Sequence, residues 1–546
     1  MGTFVNPGMG KFETAVNSEI YVDKSGILEY LNSVINTKSK YICVSRPRRF
    51  GKTTTADMVC AYYDSSVDSD KCRHIFENMR IAKAPSFESN INKYIVIHVN
   101  MADFFNDASK DESIIKDINE KIIDEIKELT CDKTFSGSLK EATYLLRKAL
   151  GKQVVVVIDE WDCVFRNRPD ITLLHKSYLD FLMVWLKDNE NIALVYMTGI
   201  LPIKKYGEHS ALNMFDEYSM TDSGILSEYV GFTDEEVKTL CADYAMDFDK
   251  VKQWYDGYVL KYRSRIISNG KIIGWKDNTV NIYSPESVVD CLTKGTFKNY
   301  WNATETIEAL KKPINRNEDG LNEIISILIN GDRYKVNIRK YQNDMTSFAS
   351  ADDVLTMLIH LGYLAYDSES EEVFIPNKEI KDEYNNSVEK NEKWQRLFAV
   401  LNDSQKLLEA TWREDESEVA RMLEFAHDRA SNKTYNSEAA LSYAVQYAYY
   451  SAHNYYSTIQ ELDTGKGYAD IVYIPAKEYP DKPALLVELK YNKDADTALD
   501  QIERRNYPQI LDDYKGNIIL VGINYDSDIK NDVVNYKHHS CMIERV

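Results

Sequence analysis

Short uninterrupted apolar runs alternate with longer amphipathic stretches through the first two hundred residues. Lys40-Tyr41-Ile42-Cys43-Val44-Ser45, the run Tyr94 to Val99, the run Val154 to Ile158 and the run Ile192 to Met197 are brief and rich in β-branched residues. Such runs predict strands buried on both faces, as in a parallel sheet. Between them, Ile114, Ile115, Ile118, Ile122, Ile123 and Ile126 recur at helical spacing, so residues 110–150 read as helices. Further helices are predicted through Thr54 to Val59 and over about 171–187. Strands separated by helices predict an α/β layer.

The middle of the chain has a different texture. Residues 230–330 read as helical and tyrosine-rich, interrupted by a hairpin at 262–275. Residues 350–376 predict a helix, a strand at Gly362 to Tyr366, an acidic turn and a strand at Glu372 to Pro376, the outline of a winged helix. A wing can read DNA or serve as a connector, and the local acidity favours the connector. From residue 395 the pattern gives helices, strands at 456–462, 469–475 and 484–490, a helix at 494–506 and a strand at 517–523. Four regions result: 1–235, 236–330, 331–395 and 396–546. The 546 residues exceed what one core serves.

Composition narrows the class. The chain is 44% hydrophobic and carries a net charge of −20, which argues against a protein that merely coats nucleic acid but not against a metal-dependent nuclease. Eight cysteines are scattered without CxxC or zinc spacing, as expected of free thiols in a reducing cytoplasm. No apolar run approaches the ~20 residues that span a bilayer, and no signal pattern opens the sequence, so no membrane association is expected.

Two places carry candidate chemistry. Gly51-Lys52-Thr53 lies between the first strand and a helix, the end of a phosphate-binding loop, with Arg46 where such a loop has its first glycine. Gly51 lets the backbone approach phosphate, Lys52 can reach the β- and γ-phosphates, and Thr53 can place its hydroxyl on magnesium. Asp159 and Glu160 directly follow the strand 154–158, where one acid can hold the metal and the other polarise water. Thr198 follows the next strand, where it can sense the γ-phosphate or form an ordinary strand-end turn. Arg48 and Arg49 could contact phosphate or pair with acids elsewhere. In the last region, Glu488 and Lys490 alternate along one strand and therefore share a face, and Asp470 joins them if its strand pairs alongside. Two carboxylates and a lysine suit a metal and an attacking water.

These passages resemble a known family. Ser45-Arg46-Pro47-Arg48-Arg49-Phe50-Gly51-Lys52-Thr53 is similar to the modified loop of bacterial AAA-ATPase-like proteins that precede a PD-(D/E)XK nuclease domain. Tyr21 to Gly26, Ile158-Asp159-Glu160-Trp161-Asp162, Thr198 to Lys205, Trp254 to Tyr258, Tyr283-Ser284-Pro285 and Tyr300 to Glu305 extend the likeness over nearly the whole chain. The family commonly lacks the first loop glycine, and Trp161 stands where tyrosine is expected. The resemblance implies a P-loop NTPase sheet, a helical and winged-helix-like middle, and a restriction-endonuclease-like α/β domain. It implies ATP with Mg²⁺ bound by Arg46, Arg48, Arg49, Phe50, Gly51, Lys52, Thr53, Thr54, Asp159 and Thr198, with Glu160 catalytic. Asp470 and Glu488-Leu489-Lys490 match the nuclease signature, with Ala469 where proline is usual. There Mg²⁺ or Mn²⁺ would sit on Asp470 and Glu488. Glu438 matches the family's upstream acid and Gln501 an accessory polar position. The expected partners are ATP and DNA or another nucleic acid, in a chain free to oligomerise. The competing reading is an ATP-switched signalling or scaffold protein whose nuclease-like domain binds without cleaving.

Overall fold

Every residue of the strand at Val154–Asp159 is buried, as is every residue of Tyr41–Ser45 and Ile192–Gly199. That is what two covered sheet faces demand of uninterrupted β-branched runs. In the computed structural model β1 (Tyr41–Ser45), β2 (Ile95–Asn100), β3 (Val154–Asp159), β4 (Ile192–Gly199) and β5 (Asp216–Tyr218) form one parallel sheet in the order β2-β3-β4-β1-β5. The structure describes all residues except 1, 106–112, 204–211, 269–270, 302–320, 340, 342–347, 349, 390–402, 430–444, 446–447, 464–467, 477–478, 493–494, 496–513, 515 and 527–537. The chain divides into two units, residues 1–387 and 388–546. The regions expected at 236–330 and 331–395 thus fall almost entirely within the first.

Helices cover the parallel sheet. Ile114–Thr130 buries Ile114, Ile118, Ile122 and Ile126, the stripe that its period-3.6 pattern specifies. Leu139–Leu150 starts at a capping box made by Ser138 and Glu141. Because β4 lies between β1 and β3, the loop after β1 and the acids ending β3 emerge at the same carboxyl edge, where α/β sheets bind ligands.

The middle of the unit contains β6 (Phe232–Thr233), β7 (Tyr258–Ser268) and β8 (Lys271–Tyr283), in the order β6-β8-β7. The hairpin expected at 262–275 is the outer part of this longer antiparallel pair. The wing-like element consists of the helix Ala351–Leu361, ended by Gly362 at φ +86°, and the strands β9 (Tyr334–Lys335), β10 (Ala365–Asp367) and β11 (Glu372–Phe374).

The second unit holds a mixed sheet of β12 (Tyr456–Asp463), β13 (Tyr468–Pro475), β14 (Ala484–Tyr491), β15 (Ile518–Tyr525) and β16 (His539–Arg545), in that order, with only β14 and β15 parallel. Leu485, Val487 and Leu489 enter one core and Ala484 and Leu486 another, so β14 is sandwiched. Most of the helix expected at 494–506, together with Glu438 and Gln501, lies outside the described residues. All eight cysteines are unpaired, and among the described residues no helix is long and apolar enough to cross a membrane.

Candidate functional site

The loop after β1 turns twice through the left-handed region, at Arg49 (φ +70°) and Gly51 (φ +83°). The second turn starts the helix Lys52–Tyr63 and aims its free N–H groups at the carboxyl edge of the sheet. Lys52 is buried, and its Nζ donates to the Pro47 carbonyl at 2.7 Å, bridging its own loop. Burial pushes its ammonium down to about 8, although Asp159 and Asp162 oppose the shift. Thr53 and Thr54 are exposed on the first helical turn.

Opposite lies the end of β3. Asp159 is fully buried; its Oδ1 accepts from the Thr198 hydroxyl and from the Glu160 amide (3.0 Å), and its Oδ2 has no hydrogen-bond partner. Glu160 adopts φ +50°, which turns the chain back so that the Trp161 amide donates to the Thr198 carbonyl at 3.0 Å. Arg166 ties this turn together, reaching Glu160 at 2.9 Å and Asp162 at 3.0 Å, and the Leu201 amide also donates to Asp162. The two carboxylates hold the Arg166 guanidinium above its ordinary range against the opposing effect of burial.

A cavity of about 720 Å³ opens between these elements, lined by Arg48, Arg49, Phe50, Gly51, Lys52, Thr53, Thr54, Glu160 and Arg166. Asp159 and Thr198 stand behind that lining. Arg46 departs from the role expected for it. Its side chain is fully buried, donates to the carbonyls of Ser45 and Tyr218 at 2.9 and 3.1 Å, and does not line the cavity. An arginine at this position supports β1 and β5 from within. Arg49 pairs with an acid, Glu286 at 3.1 Å, donates to the Tyr300 carbonyl at 2.7 Å, and also lines the cavity.

Sequence reading missed how much of the far chain walls this site. The Phe50 ring meets Tyr258 edge-on at 5.4 Å, and the Tyr258 hydroxyl donates to the Gly362 carbonyl at 2.5 Å. Pro285, at the first position of its helix, and Glu286 line the cavity. The motifs Trp254 to Tyr258 and Tyr283-Ser284-Pro285 therefore shape the loop's surroundings. Arg166 gave no sequence signal beyond its spacing, four residues after Asp162 and six after Glu160.

In the second unit, Glu488 and Lys490 are both buried and pair at 2.8 Å. The β13–β14 ladder runs Tyr473↔Leu485, Val472↔Leu486 and Ile471↔Val487, and Asp470 precedes Ile471 on the same strand. Among the described residues no three His, Cys, Asp or Glu side chains form a metal-ready cluster. Glu438 and Gln501 are outside the described residues.

Comparison with known proteins separates the same two parts. Residues 7–207 match the family described as predicted AAA-ATPase, and residues 439–534 match the PD-(D/E)XK nuclease superfamily. No curated protein matches the chain. Among solved structures, a Walker-type ATPase of Pyrococcus abyssi is 12% identical, with 66% of this chain and 93% of that one covered and a TM-score of 0.33. C. elegans PCH-2 is 14% identical over 45% of this chain and 53% of that one, with a TM-score of 0.22. Residues 7–207 thus carry a predicted AAA-ATPase domain and residues 439–534 a PD-(D/E)XK nuclease superfamily domain.

Proposed function

We propose that this protein is an ATPase in which nucleotide turnover in the first unit regulates a metal-dependent nuclease in the second, acting on nucleic acid. The observation that carries the reading is Asp159, whose buried Oδ2 lacks a hydrogen-bond partner, at the end of the strand against which the helix opened by Gly51 and Lys52 packs. A buried carboxylate oxygen without a partner suits a cation. Mg²⁺ held by Thr53 and Asp159 would neutralise charge on the β- and γ-phosphates. Lys52 would exchange the Pro47 carbonyl for phosphate oxygens. Thr198 fixes Asp159, and Glu160, freed from Arg166, would orient the attacking water and take its proton as the β–γ bridging bond breaks.

In the second unit Asp470 and Glu488 would hold Mg²⁺ or Mn²⁺, with Lys490 orienting the water that attacks a phosphodiester and Glu438 and Gln501 completing the set. Eight unpaired thiols fit a reducing, cytoplasmic setting. The net charge of −20 favours a second reading, an ATP-switched scaffold whose nuclease-like domain binds a partner without cutting. ATP turnover and DNA or RNA cleavage by wild type, Lys52→Ala and Glu488→Gln separate the two. Loss of cleavage only in Glu488→Gln, with ATP dependence lost in Lys52→Ala, supports regulation. No metal-dependent cleavage in wild type leaves the scaffold.

A further inference from the structure

The β7–β8 hairpin contrasts with the rest of this acidic chain. Residues 258–283 hold five cations and one carboxylate, a net charge of +4 where the whole chain carries −20. Its base is anchored: Tyr258, Leu260, Ile282 and Tyr283 are buried. Its outer half is not. Ile267, Ile272, Ile273 and Trp275 are 64, 52, 65 and 54% exposed, an apolar concentration that soluble surfaces avoid unless something covers it. Lys261 is neutralised near the base by Asp367 and Glu369, and Arg263 by Asp277. Arg265, Lys271 and Lys276 have no carboxylate partner among the described residues.

The register sets where these cations stand. Arg265 is opposite Trp275, its guanidinium 5.9 Å from the indole centroid, on one face of the ribbon. Lys276 is opposite Ser264 and Lys271 opposite Ser268, on the other face. We infer that this hairpin is a DNA-binding arm that inserts into the major groove of duplex DNA, with cations on both faces meeting the two phosphate rails and the Trp275 end reaching the bases. The B-form major groove admits a two-stranded ribbon, whereas the deep, narrow groove of duplex RNA does not. An anionic membrane would call for cations and apolar groups segregated by face, and here cations occupy both. Local positive charge also answers a physical need: a chain of net charge −20 repels DNA unless a dedicated element supplies the attraction. The choice of DNA rests on the nucleic-acid reading above.

The test uses the full chain in EDTA and a fluorescein-labelled 30-base-pair duplex, with anisotropy read across a salt series. Wild type should bind with salt-dependent affinity, and duplex RNA of the same length should bind more weakly. The variant Arg265→Ala/Lys271→Ala/Lys276→Ala should bind at least about tenfold more weakly and lower the log–log salt slope by roughly 2.7. Trp275→Ala should weaken binding with the slope kept. Unfolding midpoint and ATP turnover of the triple variant should match wild type. The inference is overturned if wild type does not bind duplex DNA, or if the triple variant keeps wild-type affinity and slope. It is equally overturned if the variant instead loses association with phosphatidylserine vesicles or self-association in sedimentation. Because the readout is binding without metal, its failure is separate from that of the nuclease reading. Arm-dependent binding without cleavage sinks only the nuclease. Cleavage with arm-independent binding sinks only the arm.

Discussion

Raising the pH should weaken ATP binding through Lys52 well before an ordinary lysine would respond. Burial pushes the Lys52 ammonium down to about 8. Only the charged form attracts phosphate, so binding at higher pH must first take up a proton. With that pKa, the protonated share falls between pH 7.5 and 9.5 by roughly 25-fold, and affinity should fall with it. A solvent-exposed lysine, titrating near ~10.4, would lose almost nothing over that range. The stability consequence has a fixed sign. The folded-state value is below the unfolded one, so between about 8 and 10.5 the unfolded chain binds more protons and stability rises with pH. Below pH 8 the buried charge costs about 3 kcal/mol, a cost that bound phosphate would remove. Isothermal titration of ATP in two buffers of different ionisation enthalpy gives both quantities. Proton uptake should be small at pH 7.5 and approach one at pH 9.5. Lys52→Arg should flatten the dependence. Affinity constant to pH 9.5 with no proton uptake would refute the reasoning.

Three further outcomes are expected. Arg166→Ala leaves Asp162 buried without its cation and should lower stability of the first unit by about 3–5 kcal/mol in chemical denaturation; an unchanged midpoint would mean that Arg166 does not hold the turn. Gly257 sits at φ +112°, and a Cβ there would collide with the Pro376 carbonyl. Gly257→Ala should destabilise by about 2–4 kcal/mol through overpacking and a left-handed backbone and weaken ATP binding by shifting Tyr258 from Phe50, seen by thermal unfolding and titration. Burial pushes the Asp57 carboxyl up to about 6, so its contribution is present below the unfolded value near ~3.9 and lost as pH rises toward 6. Asp57→Asn should therefore raise stability at pH 7 by about 1 kcal/mol after allowance for its part exposure, with no gain at pH 4, in urea titrations at the two pH values.

How much of this was legible depended on how far apart the cooperating residues lie. The strand Val154 to Ile158 announces itself because burial on both faces leaves no polar position in it, and Asp159 follows as the first polar residue at the sheet edge. Glu488 and Lys490 could be assigned to one face because a strand alternates. Arg166 could not be foreseen, since its double pairing depends on the left-handed turn at Glu160. Tyr258, Pro285 and Tyr300 reach the loop from more than two hundred residues away, which no local period encodes. Arg46 could not be read locally for a related reason: its loop position suggested phosphate, while the carbonyls it bonds belong to Ser45 on β1 and Tyr218 on β5. The strand His539–Arg545 carries a mixed sequence and follows only from its pairing with β15.

The pair Glu488–Lys490 bears on the second unit by its cost. Both side chains are almost fully buried on a strand whose other residues serve two apolar cores. Burying two ions costs several kcal/mol each, and their attraction roughly offsets this, so an apolar pair of like volume would serve stability equally well or better by about 1–4 kcal/mol. Stability alone therefore gives no reason to keep them. The same applies to Asp159, whose second oxygen is buried without a hydrogen bond at the end of a fully buried strand. In each unit a metal-bound phosphate beside these carboxylates would relieve a buried charge that packing alone does not require, which is what the proposed pair of phosphoryl-transfer sites would need.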